Sequence, residues 1–207
     1  MYKFSYYTEQ DQAKVIAFMK ENAFALITGQ GEKYPVATQI PLAVKIRDSK
    51  MFLEGHMMRK TDHHLAFEKN NNVLVLFTGP HCFVSASWYT DPHVGSTWNY
   101  MTVHAKGKII FTGKEGTRNA VKALSDKYEG TSSQGAFDNL PKEYIDHMVK
   151  AIVGFSIEVE EFDNVFKLSQ NRDEVSQRNI IEQLRKRGDN NSTGIADEME
   201  KLNTKTN

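Results

Sequence analysis

The sequence holds a single cysteine, Cys82, among 207 residues. That excludes an intramolecular disulfide and a cysteine-rich zinc site, and it is compatible with a reducing compartment. Long apolar runs are missing as well. None approaches the roughly 20 residues that a membrane-spanning helix requires, and the N-terminal MYKFSYYTEQ has no signal-peptide apolar core. The expectation is a cytoplasmic protein without membrane contact. Charge of one sign is not in excess, since 26 Lys and Arg balance 26 Asp and Glu. A globally basic surface for nucleic acid is therefore absent, although a local patch stays open.

Several motifs are also absent. There is no GxGxxG and no Walker loop, which argues against a Rossmann cofactor site or a P-loop. Ser85 and Ser87 lack the glycine-flanked elbow of an α/β-hydrolase nucleophile. His63 and His64 are adjacent and would diverge by about 100° on a helix. His56, His81, His93 and His104 have no ligand-type spacing. No metal site and no catalytic nucleophile is expected. Cys82, inside the strand-like FTGPHCFVS, reads as a buried small apolar residue.

What remains is an ordinary globular composition, 40% apolar and 25% charged, long enough to bury a core without disulfide or metal. A helical stripe to Asn22 opens the chain. Strands follow over 23–28, 34–42, 43–46 and 51–57, joined by short turns. Pro35 and Pro41 cannot donate to a ladder and place the second strand at an edge or interrupt it. A short helix over 63–69 and a strand over 73–78 come next. Trp98 to Phe111 alternates as a long strand, and helices are expected over 114–128 and 141–151. Val153 to Val159 alternates again, 165–168 extends it, and a helix spans 173–187. From Gly188 on, apolar residues are scarce, and 188–207 reads as a flexible or loosely helical tail. The expected fold is α+β: one domain, 1–187, of six or seven mostly antiparallel strands in a β-barrel with helices inserted late.

Two stretches stand out for chemistry. Phe77 to Phe111 carries both tryptophans, Trp88 and Trp98, and three of the seven histidines, bracketed by Pro80 and Pro92. Segments held by strands at both ends are where binding residues tend to sit. Met58-Arg59-Lys60-Thr61-Asp62 places two cations and a hydroxyl between a strand and a helix start, which suits an anion; the alternative is a solvated loop. A flavin mononucleotide site needs a phosphate clamp, a flat slot and polar groups at the ring edge. Arg59, Lys60 and Thr61 fit the first. Trp88, Tyr89, Trp98 and Tyr100 fit the second, with core packing as the alternative. Gln39, Asn99 and Gln170 fit the third. His56 and His81 are the candidates for a general acid or base. The helix over 173–187 has a modestly basic face, readable as a DNA contact or as solvated surface, and no helix-turn-helix precedes it.

GPHCFVSASWY, STWNYMTVHAKGKI and FKLSQNR, in that order and spacing, resemble the PaiB-type FMN-binding negative transcriptional regulators. YPVATQIPL and LEGHMMRK extend the resemblance, which covers nearly all of Tyr2 to Arg187. The chain departs from that pattern at Gln39, at Ala86 and over Thr61 to His64. The resemblance implies an FMN-binding split β-barrel, related to pyridoxamine-phosphate-oxidase-like flavoproteins, that forms a homodimer with FMN at the subunit interface. It places Arg59 and Lys60 at the phosphate and Thr97, Trp98 and Asn99 along the flavin. Gln170 and Arg172 close the pocket. It implies a transcriptional regulator, with an FMN-dependent oxidoreductase acting on a small molecule as the alternative.

Overall fold

In the computed structural model, the described residues are 1, 4–91 and 93–203. Pro92, expected to bracket the aromatic segment, lies outside them, as does the end of the expected tail, 204–207. The helices are α1 (Gln12–Glu21), α2 (Asp62–Lys69), α3 (Lys114–Tyr128), α4 (Lys142–Ala151), α5 (Glu174–Arg187) and α6 (Asn190–Asn203). The strands are β1 (Phe24–Gly29), β2 (Val36–Pro41), β3 (Ala43–Arg47), β4 (Lys50–Met58), β5 (Asn72–Val84), β6 (Thr97–Phe111) and β7 (Ile152–Lys167). They hydrogen-bond in the order β2-β1-β5-β6-β7-β4-β3. β1 runs antiparallel to β2 and β5, and β4 antiparallel to β3 and β7. This is the expected α+β class, a mostly antiparallel split barrel with peripheral helices. β2 ends the strand order, where Pro41, its last residue, costs no ladder bond to a further strand.

Contacts divide the chain into two compact units, and the long strands β5, β6 and β7 each contribute residues to both. The first unit comprises Met19–Phe77 and His104–Phe162. Its β4 shows the period-two burial that a one-sided strand requires: Met51, Leu53, Gly55 and Met57 are buried, while Phe52, Glu54 and His56 are only half so. Register sets Leu53 opposite Ile157 and Gly55 opposite Phe155. Leu53, Phe67, Phe77, Phe155 and Ile157 form a fully buried core. A second cluster of Phe137, Ile145 and Val149 seats α4, with Val121 of α3 packed against it.

The second unit comprises Met1–Phe18, Thr78–Val103 and Asp163–Asn207. Here two expectations are corrected. β5 does not stop at Thr78; it continues through Gly79 and Pro80 to Val84. A Cβ on Gly79 would lie 2.5 Å from the Phe18 ring of α1, so the glycine serves close packing within a strand rather than a turn. The expected tail is a helix, α6, over Asn190–Asn203. Gly188, at φ 73°, ends α5 in the left-handed conformation. Asp189 then caps α6, accepting from the Ser192 N–H at 2.9 Å and the Ser192 hydroxyl at 2.6 Å. The helix packs on α5 and buries Ile195, Ala196 and Met199. At Gly194 it passes so near Pro80 that a Cβ would sit 2.9 Å from the ring. Few apolar residues suffice because these three are almost wholly buried. β7 is one continuous strand over Ile152–Lys167, in which 165–167 extends 153–159 as expected.

Cys82 is buried, as expected, and burial pushes its thiol up to about 11.

Because α6 covers α5, Ile195→Ala is expected to cost about 2–5 kcal/mol, and truncation after Gly188 to be more damaging, since it uncovers Ile180 and Leu184. Urea titration of the three proteins checks this; an unchanged midpoint for the truncated chain would make α6 dispensable.

Candidate functional site

In the first unit, the loop after β4 is built by three backbone devices. The Arg59 N–H donates to the Ala151 carbonyl at the end of α4, 2.9 Å away. Lys60 adopts a left-handed φ of 63°, unusual for a residue with a long side chain. Its N–H reaches Nδ1 of His64 at 3.4 Å. Thr61 then caps α2: its hydroxyl accepts from the His64 N–H at 3.4 Å and donates to the Met58 carbonyl at 3.1 Å. α2 is seated by Phe67, 1% exposed, over Gly29, where a Cβ would lie 2.9 Å from the ring. Among the described residues neither Arg59 nor Lys60 has a carboxylate partner. Asp62, in the first turn, accepts from the His63 N–H at 2.8 Å and ring Nδ1 at 3.1 Å, and those bonds hold its carboxyl below the usual range.

The same unit holds Gln39 and His56. Gln39 is exposed on β2, opposite Leu26. His56 is half-buried on β4 opposite Gly154, and burial lowers its pKa, so the ring is neutral at pH 7. A cleft of ≈ 700 Å³ is lined by residues including Thr28, Gln30, Asn70, Asn72, Lys106 and Glu160, and by none of the candidate ligand-binding residues.

In the second unit the aromatic segment is fastened to the start of α5. Asp173 caps that helix and accepts three bonds: from the Ser176 N–H at 2.9 Å, the Ser176 hydroxyl at 2.6 Å and the Thr90 hydroxyl at 2.9 Å. The Ser176 hydroxyl and N–H, with Thr90, bring its carboxyl down to about 2. The Thr90 N–H donates to the Ser176 hydroxyl at 2.9 Å. The Arg172 guanidinium lies 4.5 Å over the Tyr89 ring, and Arg187 lies 5.0 Å over Trp88 while donating to the Phe83 carbonyl at 3.0 Å. Asn179 donates to the Trp88 carbonyl at 3.2 Å.

On β6, alternation sends Thr97 and Asn99 to one face and Trp98 to the other. Trp98 is 50% exposed, stacked at 6.1 Å with His81 and edge-on to Phe83 at 6.2 Å. Thr97 accepts from Lys167 at 2.5 Å. Asn99 is fully buried, its amide bonded to the Ser169 hydroxyl in both directions and set beside the Met199 sulfur. Gln170 folds back on its own loop, accepting from the Leu168 N–H and donating to the Phe166 carbonyl. Asn99 and Gln170 are therefore braces, with their polar atoms already used.

A family model described as "Putative FMN-binding domain" matches residues 1–161. The chain belongs to this family. It is 33% identical to the "Protease synthase and sporulation protein PAI 2" of Bacillus subtilis, over 97% of each chain. In fold it is similar to the FAD and heme binding protein of Mycobacterium smegmatis, with TM-score 0.58 and 12% identity, covering 77% of this chain and 73% of that one. It is similar also to the flavocytochrome Anf3 of Azotobacter vinelandii, with TM-score 0.58 and 12% identity, covering 81% and 72%.

Within this FMN-binding-domain chain, Arg59, Lys60 and Thr61 stand together in one unit. Trp88, Thr97, Trp98, Asn99, Gln170 and Arg172 stand in the other. Two further residues matter that sequence reasoning did not single out. Lys167 lies 5.7 Å over the Tyr7 ring, and burial followed by the charge of Arg172 lowers its pKa. Arg187 clamps Trp88. The signal for Lys167 was a lysine between two apolar residues at a strand end. The basic face of α5 is largely neutralised: Arg185 pairs with Asp197 and Glu200 at 2.6 and 2.9 Å, Lys186 with Glu182 at 2.7 Å, and Arg178 lies 3.9 Å from Glu174. Among the described residues no helix is long and apolar enough to cross a membrane.

Asp173 supplies a pH signature. Its folded pKa of about 2 lies below its ordinary 3.8, so its stabilisation is complete above about pH 4 and is lost as pH falls toward 2. Asp173→Asn is expected to melt ~2–4 °C below the wild type at pH 6. That gap should narrow at pH 3. A constant gap in paired thermal melts would mean that the carboxylate charge is not what holds the segment.

Proposed function

We propose that this protein binds FMN and anchors the phosphate on the loop Arg59-Lys60-Thr61. The observation that carries the reading is the pair of cations in that loop, set at a helix start without carboxylate partners among the described residues, in a chain of an FMN-binding-domain family. Lysine offers a point charge and arginine a planar fork, a combination suited to a dianionic phosphate.

The aromatic segment is the proposed seat of the flavin ring. Trp98 and Thr97 have surface to offer there, Arg172 and Lys167 supply positive charge, and Asn99 and Gln170 hold the frame. Gln39 and His56 are read as neutral polar contributors. The family resemblance supports a homodimer with FMN at the subunit interface, and we adopt that arrangement. We also propose a cytoplasmic, regulatory role rather than a catalytic one. The name of the Bacillus subtilis relative ties that protein to protease synthesis and sporulation, not to a reaction. The paired cations of α5 give no support to DNA contact through that helix.

Two measurements test this. The purified protein is expected to show a flavin absorption band and to release FMN at close to one per subunit on denaturation. A colourless protein that fails to take up added FMN overturns the assignment. Arg59→Ala/Lys60→Ala is expected to weaken FMN about tenfold or more while leaving riboflavin, which lacks the phosphate, nearly unchanged. Equal loss for both ligands would move the phosphate elsewhere.

A further inference from the structure

The ≈ 700 Å³ cleft of the first unit shares no residue with the proposed flavin site, and its size is that of a small-molecule pocket. Close backbone approaches fix its frame. One lip is the turn between β1 and β2, where a Cβ on Gly31 would lie 2.1 Å from the Tyr34 carbonyl oxygen. Another wall joins β6 to β7, where a Cβ on Gly107 would lie 2.2 Å from the Glu158 carbonyl oxygen. Val73, 4% exposed, and Pro35 give the cleft apolar surface. The polar groups around it have incomplete hydrogen bonds. Asn70 Oδ1 accepts from the Asn72 N–H at 3.1 Å and from the Asn72 side-chain amide at 3.0 Å. Among the described residues, the Asn70 amide nitrogen and Asn72 Oδ1 then have no protein partner, so a donor and an acceptor remain on the wall. The Gln30 amide reaches only the Gly31 carbonyl, at 3.5 Å. The half-buried Thr28 hydroxyl has no partner among the described residues. The carboxylates, in contrast, are paired: Glu161 with Lys106, and Glu160 with Lys108 at 3.0 Å.

We propose that this cleft is a second ligand site and that it takes a neutral, hydroxyl-bearing small molecule, a sugar or a nucleoside. Charge decides against the other classes. Glu160 and Glu161 outnumber Lys106 among the lining residues, and Asn70 closes the negative C-terminal end of α2, so an anionic ligand meets net negative charge. A cationic ligand meets carboxylates that already hold lysines and has to displace one of them. A hydroxyl displaces nothing, because an ionised carboxylate offers about four acceptor positions and a lysine occupies one. Hydroxyls also match the amides. Each hydroxyl donates and accepts at once, as the Asn70 donor, the Asn72 and Gln30 acceptors and the Thr28 hydroxyl together require. The C–H surface of a sugar ring has Val73 and Pro35 to pack against.

Titration of D-ribose, adenosine and AMP into the full chain saturated with FMN, followed by NMR of the side-chain amides, tests this. FMN keeps the proposed flavin seat occupied, and the amide signals report where each probe binds. Ribose and adenosine are expected to shift the Gln30, Asn70 and Asn72 side-chain signals saturably. AMP is expected to bind about fivefold more weakly than adenosine, because its phosphate stands near carboxylates. Gln30→Ala and Glu160→Ala change exposed positions, so each is expected to melt within about 2 °C of the wild type. Each is also expected to lower the affinity about fivefold, the worth of one hydrogen bond. Binding of ribose alone makes the ligand a sugar, and binding of adenosine alone makes it a nucleoside; both uphold the site. No saturable shift with either probe up to about 10 mM overturns the proposal. So does AMP binding as tightly as adenosine, or an affinity unchanged in both variants. A protein that takes up no FMN is titrated as purified, so failure of the flavin reading leaves these outcomes separately readable.

Discussion

Much of the second unit depends on one carboxylate. Asp173 begins α5, and in doing so it collects the Ser176 N–H, the Ser176 hydroxyl and the Thr90 hydroxyl. A helix N-terminus needs an acceptor for its first N–H groups, and an acid there also suits the helix dipole. Ser176 would satisfy neither requirement alone, but its hydroxyl also accepts the Thr90 N–H, so the cap extends to the segment that follows Trp88 and Tyr89. Once Thr90 is fixed, Tyr89 and Trp88 lie within reach of Arg172 and Arg187, one cation before the helix and one at its last turn. The helix thereby receives the aromatic segment at both ends. The construction repeats one step later, where Asp189 and Ser192 begin α6 by the same bonds.

The sequence made the alternating elements legible because burial on one side of a strand imposes period two. β1, β4 and β6 were readable within a residue or two for that reason. Pro35 and Pro41 marked an edge strand, and β2 is at an edge. What escaped was governed by pairs of distant residues. Gly79-Pro80 looks like a turn locally, yet the chain runs straight through it, because Phe18 fills the space over the glycine and Gly194 lets α6 approach the proline. Neither partner is visible from the dipeptide. α6 escaped for a related reason. Its stretch has few apolar residues, and composition counts them, whereas the helix depends on where they fall: Ile195, Ala196 and Met199 are all on the buried side against α5. The Asp-x-x-Ser start of that helix was the available signal.

The candidate site divided in the same way. Arg59 and Lys60 read as an anion site from residue type alone, because charge next to a helix start has few uses, and the phosphate assignment stands as a proposal. The roles of Asn99 and Gln170 were not legible, because an amide in a motif looks identical whether it meets a ligand or braces a loop. Only the hydrogen bonds to Ser169, Leu168 and Phe166 separate the two.

Those braces bear on how the proposed affinity is apportioned. At the start of α2, the His64 N–H is taken by Thr61 and the His63 N–H by Asp62. Part of what a helix N-terminus offers an anion is already spent, and Asp62 adds a negative charge beside it. On the proposed assignment, the loop would recognise a phosphate chiefly by the side-chain charges of Arg59 and Lys60. Lys60 is exposed and Arg59 half so, and a pair of unit charges 4 Å apart in water gains only about 1 kcal/mol, rising to about 4 kcal/mol near a protein surface. Such a clamp discriminates a phosphorylated flavin from an unphosphorylated one but does not by itself hold either tightly. On that reading, most of the binding energy would have to come from the apolar surface of the flavin ring.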